Sequence, residues 1–538
     1  MMESINSSSE DSATGQTIMI QGTASDVGKS LVTAALCRIF TQDGWKTAPF
    51  KSQNMSLNSY VTWDGKEIGR AQGMQADACG ILATTDMNPI LLKPTKEMSS
   101  QVVVHGVPLK EYEAREYREE YLPIAGGIVR EALGRLRSAY DIVILEGAGS
   151  PAEINLKDKD IVNMRMAAWA NAPVILVADI DRGGVFASIV GTLELLEQGE
   201  RDRICGFIIN KFRGDVSLLQ PGLDWLEERT GKPVLGVIPF IHGLELEDED
   251  SLALYKAEVT GSQQRDNERH HPVVIDIAVI RLPRISNFTD VDPLRFEKDV
   301  RLRFIDQPYQ WGKPDIIILP GSKSTVVDLM WLREQGLADL VLSHIASGGS
   351  VVGLCGGYEM MGERLLDPAQ VESSLVETEG LHLFPFEVVF LETKRTERVA
   401  GFTELFSSGE KIAIEGYEIH MGQIRHLIIE PYQPFLLRKK FIQDESNDDV
   451  MDYEAEGVTT KDGRVWGTFL HGVLHNDDFR RNWLNDVRKL KGLDPLGGEL
   501  RFNERREAAF NTLAEHVRNH VKLSRIYEIV ESHREESV

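Results

Sequence analysis

The sequence predicts two doubly wound α/β domains in tandem, joined by an acidic and polar segment. Three observations carry this. Short β-branched runs alternate with helical periodicity twice, once before and once after residues 244–271. Each half has a glycine-containing turn directly after a strand, where open α/β sheets bind ligands. The length of 538 residues, at about 150 per domain, allows more than one core.

Taken in order, residues 1–16 form a polar tail. Residues 17–243 form the first domain, with strand-like runs at 17–21, 47–50, 141–145, 174–178, 206–209 and 234–238. Residues 244–271 begin with five acidic residues within 245–250, continue into a polar run and read as a linker. Residues 272–490 form the second domain, with runs at 273–280, 315–319 and 351–354. Residues 491–538 are a charged, helical extension. Its Leu513, Val517, Val521, Leu523 and Ile526 suit a docked helix better than a further domain.

Composition narrows the partners. The chain has 59 Lys and Arg against 83 Asp and Glu, a net charge of −24. That argues against nucleic acid or anionic membrane as a partner, since phosphate neutralisation needs a basic surface. No apolar run approaches the roughly 18–20 residues of a membrane span. Four dispersed cysteines without a CxxC pair imply a reducing compartment, and residues 1–16 lack the pattern of a signal peptide. A cytoplasmic protein is expected, with homo-oligomerisation left open.

The first domain opens with a phosphate loop. Gly22, Thr23, Ala24, Ser25, Asp26, Val27, Gly28, Lys29 and Ser30 follow the first strand and precede an amphipathic helix. The amides of such a loop cradle phosphate oxygens, the lysine reaches the terminal phosphates, and the hydroxyl ligates Mg²⁺. Five residues, rather than the usual four, separate Gly22 from Gly28-Lys29, which resembles the dethiobiotin synthetase branch of P-loop proteins. Beyond other strands lie Glu146, a candidate second Mg²⁺ ligand, and Asp181 with Arg182, suited to metal, substrate, the γ-phosphate or structural pairing. Asn210 suits either a purine edge or a turn, and Lys51 faces the same end and is a candidate for a carboxylate substrate.

The second domain carries a nucleophile. Cys355 lies between a small-residue strand and Gly356-Gly357, the form of a nucleophile elbow. A helix N-terminus there is expected to lower the thiol pKa, with oxyanion donors from Gly356 and Gly321. The base is drawn from His471, His420 and His475, which spacing alone does not separate.

Together the halves resemble the cobyric and cobyrinic acid amidotransferase family. The carrying segments are Gly-Leu-Cys355-Gly-Gly-Tyr-Glu-Met, Gly-Thr-Phe-Leu-His471-Gly, Phe50 to Asn58, Asp86 to Pro94, Gln101 to Gly106, Glu146 to Asn155 and Asp179 to Phe186. They fit the cobyric acid branch better than the diamide branch, and cover about residues 17–490. The resemblance implies a P-loop synthetase domain and a class I glutamine amidotransferase domain, with Cys355 and His471 as the glutaminase pair. It implies ATP and Mg²⁺, L-glutamine as amide donor, and a corrinoid substrate: adenosylcobyrinic acid a,c-diamide, amidated at b, d, e and g through acyl phosphates. Common class I glutaminases have a glutamate two residues after the histidine. Here that residue is Val473, as in the corrin-amidating group, which argues against CTP synthase and leaves open what orients His471. A partitioning ATPase with a vestigial second domain is disfavoured, because that class has a lysine early in its loop where Thr23 and Ala24 stand.

Overall fold

The computed structural model describes residues 14–96, 98–244, 246, 274–406, 409–429, 432–440 and 453–535. The expected tail and linker fall largely outside these residues. In the first domain, β1 (Gln16–Gly22), β2 (Thr47–Phe50), β3 (Ile142–Glu146), β4 (Val174–Asp179), β5 (Ile204–Phe212) and β6 (Val234–Pro239) form one parallel sheet. The strand order is β6-β5-β4-β1-β3-β2. These strands are apolar on both faces, as helix-covered parallel strands must be. The helix α1 (Lys29–Gln42) begins immediately after the phosphate loop.

The second domain repeats the plan with β7 (Ile275–Ile280), β8 (Val300–Ile305), β9 (Ile316–Leu319), β10 (Ser350–Leu354), β13 (Val458–Thr459) and β14 (Val465–Thr468). Their order is β8-β7-β9-β10-β14-β13, all parallel except the edge strand β13. Between β10 and β13 lies a long antiparallel pair, β11 (Phe386–Thr403) and β12 (Ile412–His426).

Two features extend the expected plan. A four-stranded sheet (Gln53–Met55, Ile90–Lys96, Ser99–Val104, Val107–Glu113) is inserted after β2. The C-terminal extension forms two helices, α2 (Phe502–His520) and α3 (Leu523–Glu535). Both dock on the first domain: Phe510, Leu513, Val517, Ile526 and Val530 share a core with α1, and Val521 bridges to Gly236 on the edge strand β6. The chain thus returns from the second domain to complete the first.

The domains meet at a buried charge cluster. Glu67 is fully buried, Lys93 reaches its carboxylate from the inserted sheet, and Lys394 reaches it from β11 across the junction, both at 2.5 Å. Arg398 donates to the Val61 carbonyl (2.9 Å) and Arg284 to that of Thr95 (2.8 Å), also across the junction. Replacing Glu67 by Gln would leave two ammonium groups facing an uncharged amide. That variant is expected to lose about 3–5 kcal/mol, read as a lower urea midpoint of unfolding.

Candidate active site

The phosphate loop surrounds the carboxyl ends of β1 and β4. Asp26 and Gly28 adopt positive φ (57° and 99°), which turns the loop around an open centre. Lys29 Nζ donates to the carbonyls of Ala24 (2.9 Å) and Gly149 (3.0 Å), resting across the space where phosphates would lie. Ser30 Oγ donates to Glu146 Oε1 at 3.0 Å, so the two expected Mg²⁺ ligands are neighbours. The Glu146 carboxylate also accepts from Lys51 Nζ (2.9 Å) and Gln75 Nε2 (2.6 Å). Lys51 is therefore paired to the candidate metal ligand at the rim of the phosphate site.

Asn210 lies beneath the loop. Its Nδ2 donates to the Val27 carbonyl (2.8 Å) and its Oδ1 accepts from the Lys211 amide (2.9 Å). Arg182 pairs with Asp26 (3.3 Å) and Asp179 (3.5 Å), and Asp181 with Arg213 (3.1 Å). All of these line one cleft of about 2490 Å³, which runs from the phosphate loop to Tyr112 and Tyr117 of the inserted sheet and its following helix.

In the second domain Cys355 occupies a strained corner, with φ 49° and ψ −110°. The following glycines permit it. A β-carbon at Gly357 would stand 1.9 Å from the Leu319 carbonyl oxygen, and one at Gly356 would stand 2.8 Å from the Ser322 amide nitrogen. Gly356 and the loop containing Gly321 are thereby brought against each other beside the thiol. One expectation is corrected. Burial, with the adjacent Glu359 carboxyl, pushes the Cys355 thiol well up and outweighs the Gly356 amide that favours thiolate. The thiol donates to the Ile419 carbonyl at 3.8 Å.

The three histidines now separate. His420 is half-buried, stacked on the Phe469 ring at 3.7 Å and bonded to the Gly422 carbonyl, and loss of solvent drives it down to about 3. His475 contacts the Thr289 carbonyl (3.0 Å). His471 is buried beside the Gly321 loop, with its Cε1 3.5 Å from the position of a β-carbon at Gly321. Its Nδ1 donates to Asp290 Oδ2 at 2.6 Å, while Asp290 Oδ1 accepts from the Gly472 amide at 2.9 Å. Burial works to raise the Asp290 carboxyl, but His471 outweighs it and holds the group below the usual carboxylate range. Asp290 thus stands where the glutamate after the histidine was missing, and Val473 is core. The sequence signal was an acidic residue in the polar stretch Ser286 to Asp290, just beyond β7.

Two side chains of the second domain flank the outer side of His471, and each is held by the first domain. The Tyr417 ring stacks on it at 5.1 Å, and Tyr417 Oη accepts from Arg70 of the first domain (2.8 Å). Asn287 Nδ2 lies 3.3 Å from His471 Nε2, and Asn287 Oδ1 accepts from the Ser59 amide (2.8 Å).

A family model described as the CobQ/CobB/MinD/ParA nucleotide binding domain matches residues 18–253. Another, the CobB/CobQ-like glutamine amidotransferase domain, matches residues 276–479. The cobyric acid synthase of Geobacillus sp. (strain WCH70) is 51% identical over 512 residues, 95% of this chain and 97% of its own. That of Geobacillus kaustophilus is 50% identical over 515 residues (95% and 97%), and that of Photorhabdus laumondii 47% identical over 536 residues (97% and 100%). The chain belongs to the cobyric acid synthase family. It is a glutamine-dependent, amide-forming ligase of cobalamin biosynthesis, with a nucleotide-binding first domain and an amidotransferase second domain. Among the described residues no helix is long and apolar enough to cross a membrane.

In a cobyric acid synthase built this way, two variants test the amidotransferase site. Asp290→Asn should keep the fold and lower glutamine-dependent turnover by about 10²–10⁴-fold, while ammonia-dependent synthesis persists. Glu359, raised by burial to about 8, is largely neutral at pH 7 and ionises above pH 8, where its charge further disfavours the thiolate. Glu359→Gln should therefore match the parent glutaminase rate at pH 7 and exceed it increasingly above pH 8 in a pH–rate profile.

Proposed function

We propose that the enzyme amidates the b, d, e and g carboxylates of adenosylcobyrinic acid a,c-diamide, using ATP and ammonia released from glutamine. The observation that carries this most directly is the cleft. At about 2490 Å³ it is more than twice the upper range of an ordinary small-molecule pocket, which suits a nucleotide together with a second, bulky ligand. Met55 and Met98 line it while more than half exposed, and such side chains adapt to a broad apolar ring face.

In this reading a substrate carboxylate oxygen attacks the ATP γ-phosphorus. The bond to the β-phosphate bridging oxygen breaks, ADP leaves, and an acyl phosphate remains. Lys29 turns from its two carbonyls to the transferring phosphate, and the loop amides from Gly22 to Ser30 hold the others. The hard oxygens of Ser30 and Glu146 fit a Mg²⁺ carried on the phosphates, which supplies charge neutralisation there. Lys51 balances the Glu146 charge, and Asp181 and Arg182 border the substrate end.

Cys355 attacks the glutamine amide carbon, with the Gly356 and Gly321 amides on the developing oxyanion. His471 Nε2 takes the thiol proton and delivers it to the departing nitrogen, while Asp290 keeps Nδ1 protonated. Ammonia leaves and a γ-glutamyl thioester remains, to be hydrolysed by water. The ammonia attacks the acyl carbon and displaces phosphate. The raised thiol pKa supports a transfer that occurs when glutamine is bound, in place of a resting thiolate.

Mass spectrometry of the a,c-diamide incubated with enzyme, ATP, Mg²⁺ and glutamine should show four successive losses of about one mass unit, each an OH replaced by NH₂. Cys355→Ala should reproduce them with ammonia and not with glutamine. An untouched diamide alongside ATP hydrolysis would refute the substrate.

A further inference from the structure

Helix α2 lies outside both matched regions, yet it reaches the nucleotide cleft. Its Leu513, His516 and Val517 line the cleft opposite Leu31 and Val32 of α1, together with Phe240, His242 and Leu244 from the segment after β6. Leu513 and Val517 belong to the same apolar core as Val27 of the phosphate loop and Ile238 at the end of β6. The helix is held there from both sides. Arg38 of α1 pairs with Glu507 (3.0 Å), Arg518 with Asp43 just beyond α1 (2.6 Å), and the Lys522 amide donates to the Leu235 carbonyl (2.7 Å).

The chemistry of this wall suits a nucleobase. Its sides are apolar, and it adjoins the loop that would hold phosphates, beyond the carboxyl ends of parallel strands, where nucleotides bind. The Asn210 amide beneath the loop is engaged at both ends, with Val27 and Lys211, so base recognition calls for another polar group. His516 is half-buried, and its Nε2 donates to the Pro239 carbonyl at 2.9 Å. In the neutral imidazole that bond leaves Nδ1 as an acceptor. His520 Nδ1 bonds the His516 carbonyl, and so does not occupy the His516 ring.

We propose that α2 forms the nucleobase wall of the ATP site, with His516 Nδ1 accepting from the exocyclic amino group of adenine and Leu513 and Val517 covering the ring. The inference rests on the ATP reading above and adds a selectivity determinant from the C-terminal extension. A 6-oxo purine presents an acceptor at that position and would meet an acceptor.

The test is calorimetric titration of the full-length protein with ATP, ITP and inorganic tripolyphosphate. The parent should bind ATP more tightly than ITP. His516→Ala should weaken ATP about five- to tenfold, the worth of one hydrogen bond, and leave ITP and tripolyphosphate within twofold, so that the ATP:ITP preference collapses. Leu513→Ala should weaken both nucleotides and spare tripolyphosphate. The proposal is overturned if His516→Ala keeps the ATP:ITP ratio, if tripolyphosphate weakens in parallel with ATP, or if the parent binds ATP no better than tripolyphosphate. A parent that binds tripolyphosphate and neither nucleotide would instead overturn the ATP reading itself, and the wall with it.

Discussion

The relative placement of the two domains depends on a carboxylate with no access to water. Burial works against the charge on Glu67, but Lys394 and Lys93 overcome it and hold the group well below the ordinary carboxylate range. Lys394 bears the reciprocal cost, since burial brings it down to about 8. A buried ion cluster of this kind adds little net stability over an apolar packing, but it tolerates one arrangement only. Because Glu67 and Lys93 belong to one domain and Lys394 to the other, that arrangement is the domain junction.

From this junction the amidotransferase site acquires groups that its own domain does not supply. Ser59 hydrogen-bonds through Glu67's neighbourhood, its Oγ to the Glu67 carboxylate and its amide to Asn287. Asn287 in turn faces the Nε2 of His471, the nitrogen that would serve Cys355. Arg70 reaches the tyrosine stacked on the same imidazole. The first domain therefore reaches His471 through Asn287 and Tyr417 of the second. The Cys355 thiol is turned to the Ile419 carbonyl, and burial holds its pKa well above the ordinary thiol value.

Much of this was legible in the chain. Most parallel strands were, because strands covered by helices on both faces read as apolar runs; β8 was not, since its Arg301 and Arg303 interrupt the run. The phosphate loop and the cysteine elbow were, because each needs glycines at fixed offsets from a functional residue, and the structure gives Gly28 and Cys355 the positive φ those turns require. Asp290 was not, since it acts on a histidine 181 positions away. The antiparallel strands of both domains were also missed, being short or interrupted by polar residues whose partners are distant. Helicity in the extension was visible from its periodicity, but not which domain it covers, since an apolar stripe does not name its partner.

The sequence by itself determined the two α/β domains, the phosphate loop from Gly22 to Ser30, and the glycine-flanked elbow at Cys355, all from local spacing and backbone stereochemistry. Tertiary structure alone decided which carboxylate pairs with His471, how Lys51 and Asn210 are engaged, and where α2 docks. Those are contacts between residues tens to hundreds of positions apart, set by how buried charges and hydrogen-bonding groups find partners once both cores have formed.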